Sequence, residues 1–159
     1  MTRSGVVIIA STRASAGVYE DRCGPIIVSW LRERGFISPS PTVVGDGEPV
    51  ASALQSALLD NHDVIITSGG TGISPTDRTP QVTAALVDYQ IPGLADAIRR
   101  AGLPQVPTSV LARGVCGVAG RTLIVNLPGS TGGVRDGLGV LAGVLEHALD
   151  QLHGKDHGQ

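Results

Sequence analysis

Hydrophobic and polar positions follow two rhythms along this chain. Short apolar runs occur at residues 4–11 (SGVVIIAS), 41–47 (PTVVGDG) and 62–72 (HDVIITSGGTG). Their length and their glycine or hydroxyl borders predict strands, the first of them buried on both faces. Between them the period lengthens. Ile26, Ile27, Trp30 and Leu31 share a helical face in PIIVSWLRERG, with Gly35 as a stop. Val50, Leu54, Ala57 and Leu58 do the same in EPVASALQSALLDN. TPQVTAALVDY predicts a helix with Pro80 in its first turn, and IPGLADAIRRAG a second short one. ARGVCGVAGRTLIVNLPGS predicts two strands about an Ala119-Gly120 turn, an antiparallel hairpin. STGGVRDGLGVLAGVLEHALDQLHG predicts one last helix, striped by Val134, Leu138, Leu141, Leu145 and Leu149. STRASAGVYEDRCG is expected as a loop, and residues 154–159 as a flexible tail.

Strands alternating with helices define the α/β class, with helices on both faces of a mainly parallel central sheet. A length of 159 residues predicts one domain, placed at 1–153. Composition narrows the core: 42% of residues are hydrophobic but four are aromatic (one Phe, two Tyr, one Trp), so it must be aliphatic. A net charge of -2 argues against a basic nucleic-acid face, and so few aromatics offer little base stacking. No apolar run has membrane-spanning length, and the one at the N-terminus is too short for a secretion signal. A cytoplasmic protein is expected. Cys23 and Cys116 lie far apart with no CxxC, which predicts buried thiols rather than a metal or redox pair.

Ligands of open α/β sheets sit outside the carboxyl ends of the strands. Four such ends here are unusual: STRAS (11–15), GDG (45–47), TSGGTG (67–72) and NLPGS (126–130). The glycines at 69, 70 and 72 let backbone N–H groups face an anion such as phosphate. Neither GK[ST] nor GxGxxG is present, so this is not a P-loop or a dinucleotide fingerprint. A tight strand-to-loop turn explains the same glycines equally well. Asp77 follows the loop, and Asp46 ends the second strand. Each has a local explanation, helix-end electrostatics for Asp77 and turn formation for Asp46. Together, flanking a glycine-rich loop, they match the one or two carboxylates that Mg²⁺ uses beside substrate phosphates. Arg13 suits phosphate, and Ser130 suits a helix N-cap that is also an anion site. His62, His147, His153 and His157 do not gather near these loops.

These segments resemble the molybdenum-cofactor biosynthesis family that includes MogA, MoaB and the N-terminal domain of gephyrin. SGGTGISPTDRTP resembles its glycine-rich signature with D-x-T-P. STRASAGVYEDRCGP, IPGLADAIRRAGL and LIVNLPGSTGGVRDGL resemble its other segments, in order, across nearly the whole chain. The likeness is strongest to MogA-type molybdopterin adenylyltransferases. It implies a three-layer α/β/α fold, a homotrimer, and a reaction in which molybdopterin and ATP give adenylyl-molybdopterin and pyrophosphate with Mg²⁺. By the same resemblance Asp46 and Asp77 hold the metal and serve catalysis. Ser68, Gly69, Gly70, Thr71, Gly72, Ser11, Arg13, Asn126, Pro128, Gly129 and Ser130 would form the nucleotide and pterin pocket. A downstream molybdenum-insertion protein is the implied partner. The alternatives are a molybdopterin-binding or assembly protein without adenylyl transfer, and a nucleotide-binding domain with another substrate. The chain departs from the pattern at Thr12, where the family has Asp, and at Gly45-Asp46-Gly47, where it commonly has Pro-Asp and an acid. Gly102 and Ala112 stand where many members have Ser.

Overall fold

A computed structural model describes residues 2–154. Apart from Gly154, the tail expected at 154–159, and His157 with it, lies outside the described residues. In chain order the strands are β1 (Gly5–Ala10), β2 (Thr42–Val44), β3 (Val64–Ser68), β4 (Tyr89–Gln90), β5 (Cys116–Ala119) and β6 (Thr122–Leu127). The helices are α1 (Thr12–Ser15), α2 (Cys23–Glu33), α3 (Glu48–Leu59), α4 (Thr79–Leu86), α5 (Pro92–Arg100), α6 (Thr131–Ala142) and α7 (Leu145–Leu152), with a 3-10 turn at Pro107–Leu111.

The six strands form one sheet in the order β2-β1-β3-β6-β5-β4. The first four in that order run parallel, and β5 is antiparallel to both β6 and β4. Because strand side chains alternate between faces, the sheet separates two cores. Val7, Ile9, Val64, Ile66, Leu123 and Val125 pack on one face beneath α2, α5, α6 and α7. Val6, Ile8, Ile65 and Ile124 pack on the other, against Val50, Leu54 and Ala57 of α3 and Val82 and Leu86 of α4. The fold is therefore the three-layer α/β/α arrangement expected, with an aliphatic interior.

Local details differ from the sequence pattern. The single last helix is two, α6 and α7, interrupted at Gly143-Val144. The buried stripe of Leu138, Leu141, Leu145 and Leu149 runs straight through the interruption, so its period conceals the break. The hairpin turn is Gly120-Arg121 rather than Ala119-Gly120, since Ala119 pairs with Thr122. Gly120 takes a φ of 61°, as tight two-residue hairpin loops demand. Residues 12–15, expected as loop, form α1, whose N-cap is the Ser11 hydroxyl accepting from Ala14 N. Tyr89, expected to end a helix, instead opens the short edge strand β4, and α4 stops at Leu86. Among the described residues no helix is long and apolar enough to cross a membrane.

Candidate active site

Parallel pairing brings the carboxyl ends of β2, β1, β3 and β6 to one edge of the sheet. Backbone bonds then tie the emerging loops together: Ser11 N donates to Val44 O at 2.9 Å, and Gly69 N to Leu127 O at 3.1 Å. The Ser68 hydroxyl donates to Pro128 O at 2.7 Å, and Thr79 N to Gly70 O at 3.1 Å. The four segments singled out in the sequence meet here.

They enclose two adjoining clefts. One, of about 790 Å³, is the more polar of the two and holds Ser11, Arg13, Asp46, Ser68, Gly69, Gly70, Asp77 and Gly129. The other, of about 300 Å³, is largely apolar and holds Thr71, Gly72, Asn126, Pro128 and Ser130 with Ile98, Val106 and Leu111. The glycine loop and the 128–131 segment each contribute to both, so they form the partition between the clefts.

The loop's glycines are required by its shape. Gly69 and Gly70 have φ of 96° and 67°. A Cβ at Gly69 would lie 2.3 Å from Ala10 O, and one at Gly70 2.4 Å from Thr79 Oγ1 and 3.2 Å from Asp46 Oδ1. Asp46 thus faces the loop at Gly70, and Asp77 faces it at Gly72, where a Cβ would lie 2.9 Å from Asp77 Oδ2, an oxygen that also accepts from Ser74 N at 3.1 Å. Arg113 anchors this arrangement: its Nε donates to Gly72 O at 2.8 Å, its Nη2 to Asp77 O at 2.9 Å and its backbone N to Thr71 O. The sequence pattern had not marked Arg113 as part of the site, because its partners are main-chain carbonyls distant in sequence.

Several expected binding side chains are engaged in the scaffold itself. Asn126, 3% exposed, donates from Nδ2 to the hydroxyls of Thr67 and Thr83 and accepts at Oδ1 from Val115 N. Ser130 caps α6 through Gly133 N. The Ser11 hydroxyl accepts from Ala14 N and lies 2.8 Å from the Tyr19 hydroxyl. These residues shape the clefts more than they reach into them. Gly102 has a steric reason: a Cβ there would come within 3.0 Å of Ser109 Cβ, whose side chain occupies the space.

Both cysteines are buried, as expected. Cys23 lies in the polar cleft with Sγ 3.5 Å from Gly129 O, and burial pushes its thiol up in pKa. His62 and His153 sit beyond the opposite end of the strands, where His153 Nε2 is 2.9 Å from Asp63 Oδ1. Among the described residues no three His, Cys, Asp or Glu side chains converge as a metal cluster. The polar cleft nevertheless suits Mg²⁺. Its lining carries four carboxylates (Glu20, Asp21, Asp46, Asp77) against two guanidinium groups (Arg13, Arg22). A polyphosphate entering such a cleft needs a cation, and two carboxylates beside phosphate oxygens are a usual magnesium ligand set.

The fold is a three-layer α/β arrangement that brings a glycine-rich loop and the carboxylates of Asp46 and Asp77 to one edge of its sheet. Residues 6–147 match the family model described as "Probable molybdopterin binding domain". The chain belongs to that family. The Mog molybdopterin-biosynthesis protein of Mycobacterium ulcerans is 70% identical and superposes with a TM-score of 0.92, over 95% of this chain and 99% of that one. A molybdopterin adenylyltransferase of Haemophilus influenzae is 34% identical over 83% of this chain and 69% of its own length. A bifunctional molybdenum-cofactor biosynthesis protein of Synechococcus elongatus is 37% identical over 96% of this chain. This chain spans about half of that bifunctional relative, 48% of its length.

Proposed function

We propose that this protein is a Mg²⁺- and ATP-dependent molybdopterin adenylyltransferase acting in molybdenum-cofactor biosynthesis. The observation that carries the reading is the pair of adjoining clefts, one polar and acidic, one apolar, divided by a shared glycine loop. The polar cleft takes the triphosphate against the glycine loop, where Gly70 keeps the wall free of a side chain and Arg13 stands at its side; the Gly69 N–H, expected to face phosphate, is instead given to Leu127 O. The apolar cleft takes the pterin, which places its terminal phosphate near the partition. An oxygen of that phosphate attacks the α-phosphorus of ATP, a new P–O–P bridge forms, the bond to the β-phosphate breaks and pyrophosphate leaves. Such transfer needs alignment and charge neutralisation rather than a covalent protein intermediate. Asp46 and Asp77 would hold Mg²⁺, which supplies that neutralisation when bound. Arg113, Ser68 and Asn126 keep the partition in place.

The same reading takes residues 1–153 as one domain and the protein as cytoplasmic. It includes a homotrimer, supported by the exposed apolar side chains of Leu103 and Val110, which lie outside the apolar cleft; light scattering that gives a monomer mass removes this part. A molybdenum-insertion protein would consume the adenylylated product. The test is pyrophosphate release from Mg-ATP. It is expected only with molybdopterin present, and ATP and pterin should bind without displacing each other. Competition between them for one cleft would overturn the two-cleft reading, while binding of both without release leaves a molybdopterin-binding protein.

A further inference from the structure

Asp46 sits in a part of the backbone that does little to fix it. Its neighbours are Gly45 and Gly47, and Gly47 has φ of 87° and ψ of -127°. Glycine on either side leaves the turn conformationally free. The carboxylate nevertheless has a defined direction, and it comes from the first loop. Thr12 Oγ1 accepts a hydrogen bond from Asp46 N at 3.2 Å and donates its own proton to Asp46 Oδ2 at 2.9 Å. One hydroxyl therefore holds both the main chain and the side chain of the same residue. Thr12 is itself set firmly. It is the first residue of α1, directly after the Ser11 N-cap, and Ser11 N is bonded to Val44 O at the end of β2.

This division leaves the two carboxylate oxygens with different surroundings. Oδ2 is turned to Thr12, while Oδ1 faces Gly70, 3.2 Å from where a Cβ would stand. Hydrogen bonds that orient a ligating carboxylate fix where its free oxygen can meet a cation. We propose that Thr12 is a positioning residue that locks Asp46 with Oδ1 toward the glycine loop, and so sets the affinity of the nucleotide cleft for a divalent cation. The inference rests on the functional reading above and adds to it a residue outside the expected ligand set. Thr12 is exposed, so its replacement does not empty a core position.

The test uses Mn²⁺ as the probe, measured by electron paramagnetic resonance in the presence of a non-hydrolysable ATP analogue, with no turnover involved. Thr12→Val should weaken Mn²⁺ binding about tenfold, as loss of an orienting partner to a metal ligand does. Thr12→Ser, which keeps the hydroxyl, should restore it, with the melting temperature the same in all three proteins. In turnover, Thr12→Val should raise the Mg²⁺ concentration needed for half-maximal rate and leave the rate at saturating Mg²⁺ nearly intact. Unaltered Mn²⁺ affinity in Thr12→Val would overturn the proposal while leaving the adenylyltransferase reading standing. Failure of the unaltered protein to bind Mn²⁺ with the nucleotide would overturn both. A Thr12→Ser variant as weak as Thr12→Val would also overturn it, because the hydroxyl would then not be the operative group.

Discussion

Replacing Asn126 by Ala should loosen the partition between the clefts from beneath. Asn126 is 3% exposed, and its amide uses both donors and one acceptor site within the fold. Nδ2 donates to Thr67 Oγ1 at 2.9 Å and Thr83 Oγ1 at 3.1 Å, and Oδ1 accepts from Val115 N at 3.0 Å. These partners lie on β3, on α4 and just ahead of β5, so one side chain joins three segments. The two threonine hydroxyls lose a donor but keep their own protons to give elsewhere. Val115 N loses its acceptor outright. A buried polar group left unpaired costs about 1–3 kcal/mol, and two weakened threonine contacts add to that, giving about 3 kcal/mol. Domains of this kind hold about 5–15 kcal/mol in total, so the variant should fold with a much reduced margin. At about 2–4 °C per kcal/mol the melting temperature falls by about 6–12 °C. Equilibrium unfolding in urea, followed by far-ultraviolet circular dichroism, measures the loss. A change below about 1 kcal/mol would refute the reasoning, since it would mean that water replaces the amide at little cost.

Other outcomes follow from single features. Gly69→Ala combines a φ of 96° with a Cβ 2.3 Å from Ala10 O, and should cost at least about 2 kcal/mol and abolish nucleotide binding; calorimetry with Mg-ATP checks both. Burial pushes the Cys116 thiol up to about 12. Because the folded state holds this proton more tightly than the unfolded chain does, stability is unaffected below the ordinary thiol pKa and declines as pH rises from there toward 12. Denaturation at pH 8 and pH 10.5 should show that decline, and Cys116→Ala should remove the part of it that belongs to this group. In native protein at pH 8 neither cysteine should react quickly with a thiol reagent.

The sheet was legible because its central strands announce themselves. Val6 to Ala10 and Val64 to Ser68 are continuous buried runs, and an apolar run bounded by turn residues leaves little choice of structure. The helix faces were legible for the same reason: Ile27 and Leu31, or Val50 and Leu54, recur at a helical period and are fully buried. The failures occur where period carries no information. The α6–α7 break falls between buried residues whose spacing never falters, and β4 is two residues long with its pairing to β5 decided from across the sheet. The site divides in the same way. Asp46, Asp77 and the glycine loop stood out as residue types at strand ends, and the fold brings them to one cleft. What holds them was not visible. Thr12 reaches Asp46 across 34 positions and Arg113 reaches Asp77 across 36. No local pattern encodes a hydrogen bond over that separation. Asn126 shows the converse, a residue marked for ligand binding whose amide is occupied with Thr67, Thr83 and Val115.

The most direct measurement is the formation of adenylyl-molybdopterin by purified protein given molybdopterin and Mg-ATP, run beside Asp77→Asn. Asp77 Oδ2 already takes Ser74 N, and an amide keeps the size and the acceptor oxygen while removing the charge that a metal requires. Product from the unaltered protein and a loss of about a hundredfold or more in the variant is the expected result, in the range seen when a charge-stabilising group is removed from an active site. Equal product from both would remove Asp77 from the reaction. No product from the unaltered protein, with molybdopterin still bound, would contradict the adenylyltransferase assignment itself.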